Sequence, residues 1–248
     1  MRIWILCLTL LVSITSLSGA TPPPLFSVGP TAQPMIALTF DDGPKPERIL
    51  PILEILDRYQ VKASFFVVGK MANQNRDLVL RMAASGHDVC NHSFSHPNLT
   101  TISPEQVRME LRQTSDVVES ITGKRPIYFR PPGGNYNDSI LSIVAEEGMS
   151  TALWNINAED FTYIRPLRDS GSPPRESFFR HSDGEIHELV MRKARNGAIV
   201  LFHAGGRETE TALPKLIIEL KSRGFRLVTL TELMTGSSQL ALPSRSRS

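Results

Sequence analysis

Short apolar runs alternate with segments of helical periodicity along most of the chain. The runs are rich in β-branched and aromatic residues, which is typical of buried parallel strands. This pattern predicts strands at Met35–Phe40, Ala63–Val68, Asp88–Asn91, Ile127–Arg130, Thr151–Ile156, Ala198–Phe202 and Arg226–Leu230.

Apolar residues three or four positions apart fill the intervals and predict helices. Ser103 precedes Pro104 in a capping-box pattern, which indicates the start of a helix. Further apolar stripes lie at Ile49–Leu56, Leu78–Ala83 and Leu213–Leu220, the last of which ends near Gly224. These elements predict a single α/β domain of about seven strand–helix units, arranged as a parallel sheet or barrel. An open doubly wound sheet is the alternative.

The first part of the chain, residues 1–20, predicts a signal peptide. Arg2 precedes the apolar run Ile3–Val12, and Ser18-Gly19-Ala20 suits cleavage before Thr21. The run is shorter than the roughly 20 residues of a membrane span, so an uncleaved anchor is the weaker alternative. We therefore expect an exported protein (periplasmic, in the cell wall or secreted) with no stable membrane insertion after cleavage.

Composition sets the expected bounds of the domain. Residues 21–34 are Pro-rich and predict a stiff linker that does not pack. The domain is expected at residues 35–234, with a disordered polar tail at residues 235–248. Tyr163–Ser182 interrupts the alternation of predicted strands and helices after the fifth strand. The segment predicts an insertion on the rim of the site. This insertion is either a substrate-contacting loop or a solvated one.

The charge balance argues against a nucleic-acid partner. Lys and Arg number 27 against 25 acidic residues, for a formal net charge of +2, and no basic stripe is evident. A neutral polymer such as a glycan fits this balance. Cleavage would leave only Cys90, which excludes an intramolecular disulfide and is best interpreted as a small buried core residue.

Polar clusters follow several of the apolar runs, at Asp41-Asp42, His92 with His96, Arg130, Asp160 and His203. Because the ends of parallel strands meet at one rim, such distant residues can build one catalytic site. Both imidazoles of the His pair can meet one cation, and one of the two Asp carboxylates can join them. The other carboxylate can then remove a proton from water. This ligand set suits zinc, cobalt, manganese or iron(II).

Further residues suggest how such a site would be completed. Arg130 can hold the catalytic carboxylate in place and keep it ionised. Gly133 and Gly134 form a tight turn whose backbone N–H can face an oxyanion. His203 is interpreted as a general acid, and Asp160 as the carboxylate that orients its ring.

Over Met35 to Met234 the chain resembles the polysaccharide deacetylases of carbohydrate esterase family four, the NodB-homology domain. The resemblance covers five motifs in order, and the most specific are Thr-Phe-Asp-Asp-Gly at 39–43 and His-Ser-Phe-Ser-His at 92–96. It implies a distorted (β/α) barrel.

The resemblance also implies a role for each matching residue. These roles are Asp41 as base, Asp42, His92 and His96 as ligands of one divalent metal ion, Arg130 as the group that orients Asp41, and His203 as acid with Asp160 as its partner. Zinc is the expected ion, with cobalt or manganese as alternatives. Substrate contacts are implied for Gly133 through its N–H, for Leu201 beside the acetyl methyl group, and for Phe161 as an apolar wall.

The chain departs from the family pattern in three motifs. Gly133 stands where an aromatic residue is common, so one wall of the substrate groove is lost. Asn157 and Phe161 replace the first Asp and the Trp of the fourth motif, and Ala204 replaces an Asp after the catalytic His. These changes bear on substrate choice more than on hydrolysis.

The expected function is a metal-dependent hydrolase that acts on an acetylated polysaccharide. It would remove N-acetyl groups from N-acetylglucosamine or N-acetylmuramic acid in peptidoglycan or a chitin-like chain. An O-acetyl esterase for xylan-type polymers and a non-catalytic glycan-binding protein are the alternatives. The oligomeric state stays open.

Overall fold

The computed structural model describes residues 25–160, 162–164, 177–179, 181–204 and 207–236. The predicted signal peptide, Phe161, most of the Tyr163–Ser182 insertion and the tail beyond Gly236 lie outside the described residues. Within the described ranges, no helix combines the length and the apolar character needed to cross a membrane.

The strands occur where the apolar runs predicted them, with some additions. They are β1 (Leu25–Phe26), β2 (Met35–Gly43), β3 (Ser64–Val67), β4 (Asp88–Asn91), β5 (Tyr128–Phe129), β6 (Ser150–Ala152), β7 (Ile156–Asn157), β8 (Thr162–Ile164), β9 (Ser177–Phe179), β10 (Ala198–His203) and β11 (Arg226–Val228).

The helices follow the predicted stripes and caps. They are α1 (Pro46–Arg58), α2 (Gly69–Gln74), α3 (Arg76–Ala84), α4 (Pro104–Thr122), α5 (Asp138–Glu146), α6 (Asp183–Lys193), α7 (Arg207–Ser222) and α8 (Leu230–Thr235). The capping box predicted at Ser103 is confirmed, because its side chain and that of Gln106 exchange hydrogen bonds with each other's backbone N–H.

One curled sheet holds nine of the strands, and all of its pairings are parallel. The strand order is β1-β6-β5-β4-β3-β2-β10-β7, with β11 also beside β2. Strands β8 and β9 form a separate antiparallel pair. The curl confirms the distorted (β/α) barrel and excludes the open doubly wound sheet.

The strand predicted at Thr151–Ile156 is two strands. Residues 153–155 leave β6 near one edge of the sheet and enter β7 at the other edge. Leu153 N donates to Phe26 O, and Asn155 N donates to Ile199 O, so this short segment bridges the two edges. The break therefore connects the two edges of the curled sheet, which apolar periodicity alone does not show.

Part of the predicted linker packs onto the barrel. Leu25 and Phe26 pair with Thr151 and Ala152 in β6. The Phe26 ring is buried and lies edge-on to Tyr128 with a centroid distance of 5.7 Å. The packed unit thus begins before residue 35, because one buried aromatic ring outweighs the stiffness of its Pro-rich surroundings.

Two apolar layers flank the sheet. Phe66, Tyr128 and Ile199 belong to the cluster that also contains Phe26. A larger cluster joins the opposite faces of the strands to the helices, and Phe40, Leu53 and Leu216 are among its members. Because all strands of the sheet run in the same direction, their carboxyl ends form one rim, and the predicted site residues lie there.

Phe26→Ala is expected to lower the free energy of unfolding by about 3 kcal/mol, because it empties a buried aromatic position. Urea denaturation followed by circular dichroism measures the change. Val28→Ala is the control, since Val28 is 43% exposed and its truncation should cost less than about 0.5 kcal/mol. Equal, small effects of both changes would show that β1 does not stabilise the barrel.

Candidate active site

The carboxyl-end rim brings together the charged residues that the sequence singled out. Asp41 and Asp42 lie at the end of β2, His92 and His96 follow β4, Arg130 follows β5, Asp160 follows β7, and His203 ends β10. His203 is the register partner of Asp41 across neighbouring strands. The predicted convergence of these segments at one rim is therefore observed.

Asp42, His92 and His96 form a tight cluster. Asp42 Oδ1 lies 3.3 Å from His92 Nε2 and 3.1 Å from His96 Nε2. One ligand atom from each residue lies within 4.8 Å of the others, an arrangement that can hold a metal ion. Asp42 Oδ1 is buried, and no contact to it has the geometry of a hydrogen bond.

The hydrogen bonding of His92 explains why this cluster suits a cation. His92 Nδ1 lies 2.8 Å from the backbone oxygen of Arg130, and only a protonated Nδ1 can donate to that oxygen. In the neutral ring, Nε2 then presents a lone pair towards Asp42 Oδ1. Two lone pairs that face each other repel unless a cation lies between them, so the donor set fits a divalent metal ion.

The charges of the cluster reinforce one another. Burial opposes ionisation of Asp42, but the neighbouring His92 and His96 side chains and their charges hold its pKa well below the usual range. The Asp42 carboxylate in turn raises the pKa of His96 above its ordinary value, although burial opposes this.

Arg130 is fully buried, and its guanidinium is held by four neighbours. Nη1 donates to Asp41 Oδ1 at 2.7 Å and to Thr39 Oγ1 at 2.9 Å. Nε donates to Ala152 O, and Nη2 donates to Leu153 O. The second oxygen of Asp41, Oδ2, lies 3.8 Å from His92 Nε2 and so faces the ligand cluster.

The loop that carries the His pair is held by residues that the sequence did not single out. Glu110 of α4 accepts hydrogen bonds from Phe94 N, Ser95 N and Ser95 Oγ at 2.6–2.7 Å. Ser93 and His96 both have a left-handed backbone, with φ of 62° and 61°. Backbone of this kind is unfavourable for a residue with a side chain, so these bonds from the helix stabilise the loop.

His203 and Asp160 form a second charged pair on the rim. His203 Nδ1 lies 2.9 Å from Asp160 Oδ1, and His203 N donates to Asp160 Oδ2 at 2.8 Å. Burial lowers the pKa of His203, but the hydrogen bond and charge of Asp160 outweigh burial and raise that pKa above its ordinary value. The ring is thus suited to carry a proton.

The residues predicted to contact substrate are only partly defined. Gly133 is exposed in the turn Pro132–Gly134 with φ of 63°. Gly134 has φ of 72°, and a Cβ there would lie 2.9 Å from the Trp154 ring, so only glycine fits this turn. Leu201 is buried in β10. Phe161 lies outside the described residues.

Cys90 lies on β4 just before the His-bearing loop. It is fully buried, and burial raises the pKa of its thiol well above the ordinary value. A neutral buried thiol is neither a nucleophile nor a metal ligand. The interpretation of Cys90 as a core residue therefore agrees with the structure.

Arg130→Met is expected to destabilise the protein by about 3–5 kcal/mol, because it leaves the buried Asp41 carboxylate without its cation. Guanidinium denaturation measures the change. The double variant Asp41→Asn/Arg130→Met is the control, and it should recover part of the loss because no buried charge remains. If the double variant recovers nothing, the loss does not arise from the unpaired charge.

Comparison with known proteins agrees with the geometry of the rim. The family model described as polysaccharide deacetylase matches residues 28–152. The chain is 34% identical to a peptidoglycan-N-acetylglucosamine deacetylase of Bacillus cereus over 83% of this chain and 90% of the relative. It is 35% identical to a peptidoglycan-N-acetylmuramic acid deacetylase of Bacillus subtilis over 81% of this chain, but spans only 39% of that relative.

Solved structures include both active and inactive relatives. A peptidoglycan N-acetylglucosamine deacetylase in complex with an N-hydroxybenzamide derivative superposes with a TM-score of 0.77 at 29% identity, covering 88% of this chain and 95% of that chain. A pseudoenzyme of the same family from Bacillus anthracis superposes with a TM-score of 0.73 at 29% identity, covering 84% and 68%. From its motifs, its barrel and these relatives, the chain belongs to the polysaccharide deacetylases of carbohydrate esterase family four and carries their NodB-homology domain.

Proposed function

We propose that this protein is a metal-dependent deacetylase that removes N-acetyl groups from the sugars of a polysaccharide, with peptidoglycan as the first candidate. The main support is the cluster of Asp42 Oδ1 with the Nε2 atoms of His92 and His96, which lies beside Asp41, the carboxylate bound by Arg130. The names of the relatives support an acetylated cell-wall polymer, containing N-acetylglucosamine or N-acetylmuramic acid.

Asp42, His92 and His96 are the proposed holders of one divalent ion, with zinc first and cobalt or manganese as alternatives. Such an ion supplies Lewis-acid chemistry, polarising the acetamide carbonyl and making water more acidic. Deacetylases of this family are metal-dependent, and the unpartnered oxygen of Asp42 fits that requirement.

Asp41 is the proposed general base. Arg130 binds its Oδ1, which leaves Oδ2 directed towards the ligand cluster, where an attacking water must lose its proton. The guanidinium keeps the carboxylate in one orientation, so that no rotation is needed during the reaction.

His203 is the proposed general acid, which donates a proton to the departing sugar amine. Asp160 holds the ring through Nδ1, and the opposite nitrogen, Nε2, is the proposed proton donor. Gly133 is the proposed donor to the oxyanion, because the N–H of its neighbour Gly134 already donates to Pro131 O. Leu201 and Phe161 are the proposed apolar contacts of the acetyl group.

The complete set of groups argues for turnover rather than for simple glycan binding. A pseudoenzyme is among the similar structures, so membership of the family does not by itself imply activity. Here Arg130 binds the proposed base, Asp160 binds the proposed acid, and both pairs lie on the same rim as the three proposed ligands. The peptidoglycan substrates of relatives also support the proposal that residues 1–20 direct export and are then removed.

The decisive experiment measures acetate release from peptidoglycan, N-acetylglucosamine oligomers and acetylated xylan. Chelator treatment of the purified protein should abolish release, and zinc, cobalt or manganese should restore it, because the carbonyl and water are no longer activated without the ion. Faster release from xylan would identify an O-acetyl esterase. Polymer binding with no release under any metal would identify a glycan-binding protein.

Two variants separate catalysis from metal binding in that experiment. Asp41→Asn should lose turnover but still bind metal, whereas His92→Ala should lower the metal content of the purified protein. Mass-spectrometric metal analysis gives the second readout. Full activity of Asp41→Asn, or unchanged metal occupancy of His92→Ala, would contradict the assigned roles.

Asp160→Asn is expected to shift the alkaline limb of the kcat/KM profile to lower pH by at least about one unit. The proposed acid must be protonated, so activity falls as pH rises through the pKa of His203, and Asp160 is what raises that pKa. The acidic limb serves as an internal reference. An unmoved alkaline limb in a folded Asp160→Asn protein would exclude His203 as the acid.

A further inference from the structure

Asp160 has a hydrogen-bond donor that comes from outside its pair with His203. Thr209 Oγ1 donates to Asp160 Oδ2 at 2.7 Å, and both side chains are fully buried. Thr209 lies in the first turn of α7. In the described part of the chain, every other hydrogen bond to the Asp160 carboxylate comes from His203 itself.

We propose that Thr209 is a positioning residue for the proton-donating pair, and that its hydroxyl fixes the Asp160 carboxylate against helix α7. This role rests on the proposed function of His203 as general acid. The Thr209 hydroxyl is not placed at the reacting atoms and acts only through Asp160.

The geometry shows what the third donor adds. The bond from His203 N ties the Asp160 carboxylate to the end of β10, and the bond with Nδ1 orients the His203 ring, so both contacts come from one residue. Helix α7 supplies an independent reference, because Ala212, Leu213 and Leu216 on it are buried in the main core. A bond from that helix therefore fixes the carboxylate relative to the barrel.

The hydroxyl also affects the interaction of Asp160 with the His203 ring. Thr209 bonds Oδ2 of the carboxylate, and this contact holds Oδ1 where it meets His203 Nδ1. In the described part of the chain, the charges of Asp160 after β7 and of Asp41 and Asp42 at the end of β2 act on the His203 ring. Asp160 is the one among them with a hydrogen bond to that ring.

The test compares Thr209→Val with Thr209→Ser and Thr211→Val. Valine keeps the shape of threonine but cannot donate, whereas serine keeps the donor. Thr211 is exposed on the same helix and is the matched control, since its hydroxyl donates to Glu208 O. We expect Thr209→Val to lower kcat about tenfold with little change in KM, while Thr209→Ser recovers most of the rate and Thr211→Val matches the unchanged protein.

A titration of the His203 ring by NMR, assigned with a His203→Gln variant, tests the same point without any substrate. In Thr209→Val the pKa of His203 should fall part of the way towards its value in Asp160→Asn. Burial lowers this pKa, and a displaced Asp160 carboxylate would offset that effect less. Since this readout needs no turnover, it distinguishes failure of the Thr209 role from failure of the deacetylase proposal. An unmoved His203 pKa, or a rate loss that serine does not rescue, would overturn the positioning role.

Discussion

The buried guanidinium of Arg130 is the constraint on which the rest of the site depends. A fully buried cation is tolerated only when its donors are paired, and Arg130 draws those partners from β2 and from residues 152 and 153. Its side chain directs Asp41, and its backbone oxygen sets the tautomer of His92. One residue thus orients both the proposed base and a proposed metal ligand.

The same requirement links the site to the segment that connects the two edges of the sheet. Ala152 O ends β6, and Leu153 O belongs to the segment that crosses to β7. A carbonyl in the middle of a regular sheet is occupied by its neighbouring strand, so the break in the predicted Thr151–Ile156 strand is what leaves oxygens for Arg130. The irregularity that connects the two edges of the sheet therefore also supplies acceptors for the buried Arg130 guanidinium.

The charged residues of the site could be predicted from the sequence, but the residues that hold them could not. Asp41, His92 and His203 follow apolar runs, and parallel strands bring such positions to one rim. Glu110 and Thr209 lie on helices, where their residue types are common and nothing nearby in the sequence indicates a partner. Their partners become apparent only when helices pack against particular loops, which depends on the whole fold.

The two adjacent carboxylates show why local backbone shape matters as much as residue identity. In a regular strand, Asp41 and Asp42 would point to opposite faces of the sheet, and only one of them could reach the rim. The pairing of β2 with β3 shifts register between Phe40 and Gly43, and Asp42 has φ of 65°. This irregularity ends the alternation, so that Asp41 meets Arg130 while Asp42 turns to the His pair. A regular strand with the same residues would therefore separate the proposed base from the proposed ligand, and the division of labour between them depends on this one bulge.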